Sequence, residues 1–288
     1  MELLLALVPM FAWGSIGLVS GKLGGSANQQ TMGMTVGALI FSTVTFLILQ
    51  PTMNWTVLFV GIITGLFWSM GQNGQFHGMK YMGVSIGLPI STGMQLVLNT
   101  VAGAVFFHEW QKGRDFVFGS LALACLILGS YLTARQDGSE TPKTEASMFD
   151  FQKGFKALIY STIGYGSYTI LINAAHQDPW AIILPQSVGM VLGACLFTLR
   201  KEPLWSKAAT KNMVSGLLWG LGNICMLLTM QKLGLAISFS LSQMGIIIST
   251  LGGIFILGEH KTKKELRYVV AGCLFVILGG IILGYMKA

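Results

Sequence analysis

Charge is what this chain has least of. Lys, Arg, Asp and Glu supply 10% of its 288 residues, whereas a soluble domain carries about 25%, and the mean hydropathy is +0.66. A water-soluble fold is therefore excluded. No Asp, Glu, Lys or Arg occurs in 23–79, 81–108, 116–134, 157–177, 212–231, 233–258 or 268–286, so no carboxylate lies mid-span. That absence argues against an exporter of cations, which needs buried negative charge, and an exchanger of phosphorylated sugars would want Lys or Arg facing its cavity. Histidine is as scarce: His77, His108, His176 and His260 all sit near span ends, and no catalytic constellation forms at membrane depth. The sequence predicts no catalytic residues, no metal site, no cofactor and no enzyme. Cys125, Cys195, Cys225 and Cys273 lie inside apolar runs without metal-ligand spacing, where a free thiol acts as a small hydrophobe, and no disulfide is expected. No basic segment precedes the first apolar run, which argues against a cleaved export signal.

What the chain does contain is apolar sequence in lengths that span a bilayer, about 20 residues each. Ten spans are predicted, at 3–21, 31–49, 55–75, 84–107, 116–134, 157–173, 181–199, 213–230, 235–257 and 268–286. Fourteen of the 18 Lys and Arg fall on loops after odd-numbered spans. The positive-inside rule then sets both termini outside the cytoplasm of a multi-pass protein in a bacterial cytoplasmic membrane. The net charge of +7 is an orientation signal and implies no nucleic-acid partner.

The polar stretch 135–153 separates five spans from five and reads as a linker between 1–134 and 154–288. The two segments resemble each other. At an offset of 151, Gly65, Leu66, Trp68, Gly71, Met79 and Gly83 recur as Gly216, Leu217, Trp219, Gly222, Met230 and Gly234; at 150, Glu109 recurs as Glu259. Because five is odd, repeated halves must lie upside down relative to each other. The expected fold is all-α and polytopic, ten transmembrane helices as two inverted five-helix repeats, an architecture that transporters use to hold a solute at the repeat interface.

Trp68, Gln72 and Gln75 share one helical face, as do Trp219 and Asn223, at about 100° per residue. A carboxamide in hydrocarbon is costly unless bonded. An indole plate beside amide donors and acceptors suits a neutral, hydroxyl-rich ring. The candidate substrate-binding residues are Trp68, Gln72, Gln75, Gln95, Trp219, Asn223 and Gln243, with a sugar expected between the Trp68 and Trp219 faces. A second group comprises Trp13, Asn73, Asn99, Tyr165, Gln186 and Ser242, with Asn73 pointing away from Trp68. Proton coupling has as candidates Glu109, Glu259 and His77, then Asp178 and Glu2; the two glutamates read first as caps or loop ties.

The segments Ser85-Ile86-Gly87-Leu88-Pro89-Ile90-Ser91-Thr92-Gly93-Met94-Gln95, Ser238-Phe239-Ser240-Leu241-Ser242-Gln243 and Leu257-Gly258-Glu259 resemble the bacterial glucose/ribose porter family of the drug/metabolite transporter superfamily, most nearly its Gram-positive glucose uptake members. The resemblance runs nearly end to end. It implies import of a monosaccharide, glucose foremost, coupled to protons. An uncoupled sugar facilitator, or a transporter of another neutral solute such as ribose or an amino acid, is the alternative. No motif sets an oligomeric state.

Overall fold

The computed structural model describes residues 2–135, 150–199, 201–259 and 261–287. Most of the expected linker, 136–149, lies outside them, as does His260. Eleven α-helices are described: α1 (Glu2–Leu23), α2 (Ala27–Leu49), α3 (Trp55–Met82), α4 (Val84–Val101), α5 (Gly113–Ala134), α6 (Phe151–Ala175), α7 (Pro179–Thr198), α8 (Lys207–Leu233), α9 (Leu235–Ser242), α10 (Ile246–Phe255) and α11 (Lys263–Lys287). No strand occurs among the described residues. Nine helical segments there are long and apolar enough to cross a membrane, α9 and α10 counting as one at Leu235–Phe255.

Two departures from the ten expected spans have physical reasons. Helix α6 has 25 residues, ample length, but Ser161, Thr162, Tyr165, Ser167, Tyr168 and Thr169 keep it too polar to count among the nine. Most of those side chains are directed inward: Ser161, Tyr165, Tyr168 and Thr169 are buried. The ninth span is not one helix either. A 3-10 turn at Gln243–Gly245 separates α9 from α10, at the level where Gly245 packs on Gly14 of α1. Broken helices of this kind recur where transporters bind solutes.

The helices begin where side chains can satisfy the free amides of a first turn. Ser26 and Gln29 form a capping box on α2, Asn54 accepts from Val57 N–H, Asp178 from Trp180 N–H, and Ser206 from Ala209 N–H. Large apolar side chains such as Leu47, Ile48, Phe59, Leu196 and Phe255 face outward, as in a protein dissolved in lipid.

Helices from the first part of the chain pack mainly on helices from the second. The most extensive pairings join α3 to α6 and α7, α8 to α2 and α1, and α5 to α11. Glycine permits the closest of these approaches. A Cβ on Gly65 would collide with the Gln186 carbonyl oxygen and with Gly189, and a Cβ on Gly216 with the Met34 carbonyl oxygen and Gly37. Such small-residue contacts let helix backbones meet where no hydrophobic effect drives association.

Gly65→Ala and Gly216→Ala should each destabilise the protein by about 1–3 kcal/mol, because the added methyl meets backbone rather than a flexible side chain. Gly113→Ala, where nothing lies within 4 Å, is the control. Thermal unfolding in detergent checks this, and equal melting of all three variants would contradict the packing described.

Candidate functional site

A central cavity of about 70 Å³ lies where α1, α3, α4, α6, α8 and the α9–α10 break converge. At about 10–15 Å³ per water in this measure it has room for several waters. Its walls include Trp13, Trp68, Gln72, Gln75, Gln95, Tyr165, Trp219, Ser242 and Gln243, so nine of the sequence candidates meet around one space. No Asp, Glu, Lys, Arg or His is among its lining residues.

The arrangement of the indoles differs from a sugar sandwich. Trp68 and Trp219 touch each other, centroids 4.9 Å apart and planes inclined at 60°, and both are 2% exposed. Nothing fits between them in this state, and the open space of the cavity lies beside the pair. Trp68 also meets Tyr165 edge to face at 6.1 Å, and the Trp13 indole N–H donates to the Trp219 carbonyl oxygen at 3.4 Å. Aromatic contacts of this kind add roughly 0.5–1.5 kcal/mol each, and here they hold α1, α3, α6 and α8 together.

The amides are bonded into the wall rather than left loose. Tyr165 O–H donates to Gln72 Oε1 at 2.6 Å, and Gln72 Nε2 donates to Gln75 Oε1 at 3.4 Å. Gln75 and Gln95 both donate to Ser91 Oγ, at 3.0 and 2.9 Å. Gln243 Nε2 donates to Ser242 Oγ at 3.3 Å. A glutamine offers two donors and a carbonyl with two lone pairs, and these bonds use only part of that capacity. The remainder faces a cavity whose other walls are aromatic and aliphatic, a combination suited to an uncharged polar solute.

Four candidates stand behind the walls and do not line the cavity. Asn223 accepts from Tyr168 O–H at 2.7 Å and donates to Gln186 Oε1 at 3.1 Å; it positions Tyr168, which does line the cavity. Asn73 points away, as expected, donating to Asn28 Oδ1 at 2.9 Å, and Asn28 donates in turn to Glu202 Oε1 at 3.1 Å. Asn99 donates to the Gln95 carbonyl and accepts from Thr169. Gln186 is fully buried.

Sequence reasoning missed Tyr168, Thr92, Thr169, Leu88 and Phe239 in the lining. One signal was available: Tyr165, Tyr168 and Thr169 lie three and four residues apart, hence on one face.

Glu109 and Glu259 are far from idle. Glu109 accepts from the backbone N–H of Leu235 and Ala236 at 2.7 and 2.8 Å. Glu259 accepts from Val84 and Ser85 at 2.8 and 2.9 Å. Each carboxylate caps a helix of the other part of the chain, with the helix dipole and charge-assisted hydrogen bonds acting together. Neither lines the central cavity. Burial lowers the pKa of nearby Lys261, against the opposing pull of Glu265 and Glu259. His77 stacks near Tyr81 at 6.3 Å, also away from the cavity.

Tyr168→Phe removes the donor to Asn223 and leaves a buried acceptor bare. A loss of about 1–3 kcal/mol in stability is expected, read as a lower unfolding temperature; no change would show that this bond does not order the wall.

The sequence pattern of the family described as Sugar transport protein matches residues 4–286. A "Putative sugar uptake protein" of Enterococcus faecalis is 70% identical over 288 residues, covering 100% of both chains. Proteins of the same description from Streptococcus agalactiae and Lactiplantibacillus plantarum are 50% and 49% identical, over 99% and 100% of this chain and of theirs. A solved crystal structure with 15% identity superposes with a TM-score of 0.71, over 99% of this chain and 98% of that one; at that identity the likeness concerns the fold. With the match running over nearly its whole length, the chain belongs to the Sugar transport protein family.

Proposed function

We propose that this protein imports a neutral monosaccharide, glucose foremost, across the bacterial cytoplasmic membrane by alternating access. The observation that carries the reading is a central cavity walled by carboxamides, hydroxyls and aromatic rings with no charged lining residue. A phosphorylated sugar or a cation would lack a counter-charge there, and burying a charge without a partner is strongly unfavourable. The family membership and the names of the relatives support a sugar as the solute.

The same reading takes the chain as ten spans, α6 included, in two inverted halves with both termini outside the cytoplasm. Support comes from reciprocal contacts between matched residues. Gly65 packs on Gly189 while Gly216 packs on Gly37, and Tyr165 rests on Gly71 while Trp13 rests on Gly222. Glu109 and Glu259, 150 positions apart, cap each other's partner helices. Rocking of one half against the other would open the cavity to one face at a time.

Protons are the proposed driving ion. With no titratable carboxylate or histidine in the lining, coupling falls to Glu109, Glu259 or His77 outside it. The same observation favours a second reading, an uncoupled facilitator.

Purified protein in liposomes separates these. Accumulation of glucose above equilibrium under an acid-outside gradient is expected, whereas equilibration alone supports the facilitator and no sugar movement contradicts both. Gln95→Ala and Gln243→Ala should lower uptake about tenfold or more, the effect of one lost solute hydrogen bond, in protein that still folds and reaches the membrane. Full uptake by both would remove the cavity as the binding site.

A further inference from the structure

Two further cavities flank the central one and are matched in position. One, of about 480 Å³, is lined by Ile172, His176, Gln177, Met230 and Gly234. The other, of about 180 Å³, is lined by Ser20, Gly24, Gly25, Met79 and Val84. Ser20, Gly24, Gly25 and Met79 match Ile172, His176, Gln177 and Met230 at an offset of 151 or 152, and Val84 lies 150 positions from Gly234. By the distribution of Lys and Arg, the larger vestibule faces outward and the smaller faces the cytoplasm.

Helix α4 starts in the smaller vestibule at Val84 and reaches the central cavity at Leu88. Helix α9 leaves Gly234 in the larger vestibule and reaches the central cavity at Phe239. The first turn of each helix is thus a wall between the central cavity and one vestibule. Those two turns are the ones that Glu259 and Glu109 grip, one carboxylate oxygen to each of two successive backbone N–H groups. The seats are built for the purpose. Gly83 and Gly234 precede the helices at φ of 80° and 84°, a conformation glycine alone adopts freely. A Cβ on Gly234 would crowd Glu109 Oε2 at 2.8 Å.

We propose that Glu109 and Glu259 are the latches of two opposite gates, each holding one end of the central cavity shut by gripping the first turn of a helix from the other half of the chain. Both latches are engaged in this structure, and the central cavity between them is small. Release of the Glu109 pair frees α9 to swing from the outer vestibule, and release of the Glu259 pair frees α4 at the inner one. Alternating access then requires that one pair hold while the other opens. The inference rests on the transport cycle proposed above and assigns its gates.

The test reads gate opening directly and uses no sugar. A single reporter, Ser242→Cys in the central cavity, is placed in a chain whose Cys125, Cys195, Cys225 and Cys273 are alanine. Right-side-out and inside-out vesicles are then treated with a membrane-impermeant thiol reagent. Glu109→Gln should raise labelling from the outer face about tenfold, the population shift expected when a charge-assisted bond to the closed state is lost, and leave the inner face unchanged. Glu259→Gln should do the reverse. Leu235→Pro and Val84→Pro keep the carboxylates but delete one donor each, at first-turn positions where proline is tolerated and after a glycine whose ψ of 165° or 160° lies outside the helical region that proline disfavours. They should reproduce Glu109→Gln and Glu259→Gln respectively, and they carry the test if the glutamine variants fail to reach the membrane. Equal increases from both faces, or no increase in any variant, would overturn the latch assignment. One-sided opening in these variants together with failure of the unsubstituted protein to move sugar in liposomes would instead uphold the latches and remove the sugar reading.

Discussion

One constraint orders the middle of this protein: polar groups set among apolar helices have no bulk water to fall back on, so most of them take partners from the chain. Tyr165 donates to Gln72 and Tyr168 to Asn223, and these bonds tie α6 to α3 and α8. Once the tyrosines are fixed, the indoles of Trp68 and Trp219 close on each other, and the carboxamides of Gln75, Gln95 and Gln243 are left at the edge of a shared space. The result is a small chamber with carboxamides set in largely aromatic and aliphatic walls, its shape fixed by hydrogen bonds made elsewhere. In the proposed transport cycle, such preorganisation aims donors and acceptors at the sugar without the cost of ordering them on binding.

The same constraint acts at the ends of the helices. A first turn exposes free amides, and here two of those turns take their acceptors from glutamates distant in sequence, Glu109 for α9 and Glu259 for α4. Helix capping thereby becomes a long-range contact. In the proposed transport cycle the chamber supplies selectivity and the caps supply closure, so that residues with no access to the solute decide when it can leave. The contacts between Gly65 and Gly189 and between Gly216 and Gly37 are backbone approaches that leave no room for a side chain.

Much of this was legible in the sequence because hydrocarbon leaves so few solutions. Long runs without charge marked the helices, and amides within them marked the chamber; the recurrence of Gly65 to Gly83 as Gly216 to Gly234 pointed to paired surfaces. What escaped were questions of partner rather than of face. Periodicity put Trp219 and Asn223 on one side of α8 but could not reveal that the indole meets Trp68 or that Asn223 is consumed by Tyr168 and Gln186. The 3-10 turn at Gln243–Gly245 was hidden inside an apolar run, since the break reflects the close approach of Gly14 and leaves no local turn signal. Helix α6 was marked by its charge-free run over 157–177, although its inward hydroxyls lower the hydropathy by which a span is otherwise recognised.

The central claim is that a neutral sugar is held beside the touching Trp68 and Trp219 rings by the carboxamides that border the chamber. A structure determined with a monosaccharide bound tests it most directly. The account predicts the sugar against Gln72, Gln75, Gln95 and Gln243, with the indole pair still in contact at its flank. A sugar seated only in an outer vestibule, or stacked between two separated indoles, would contradict it.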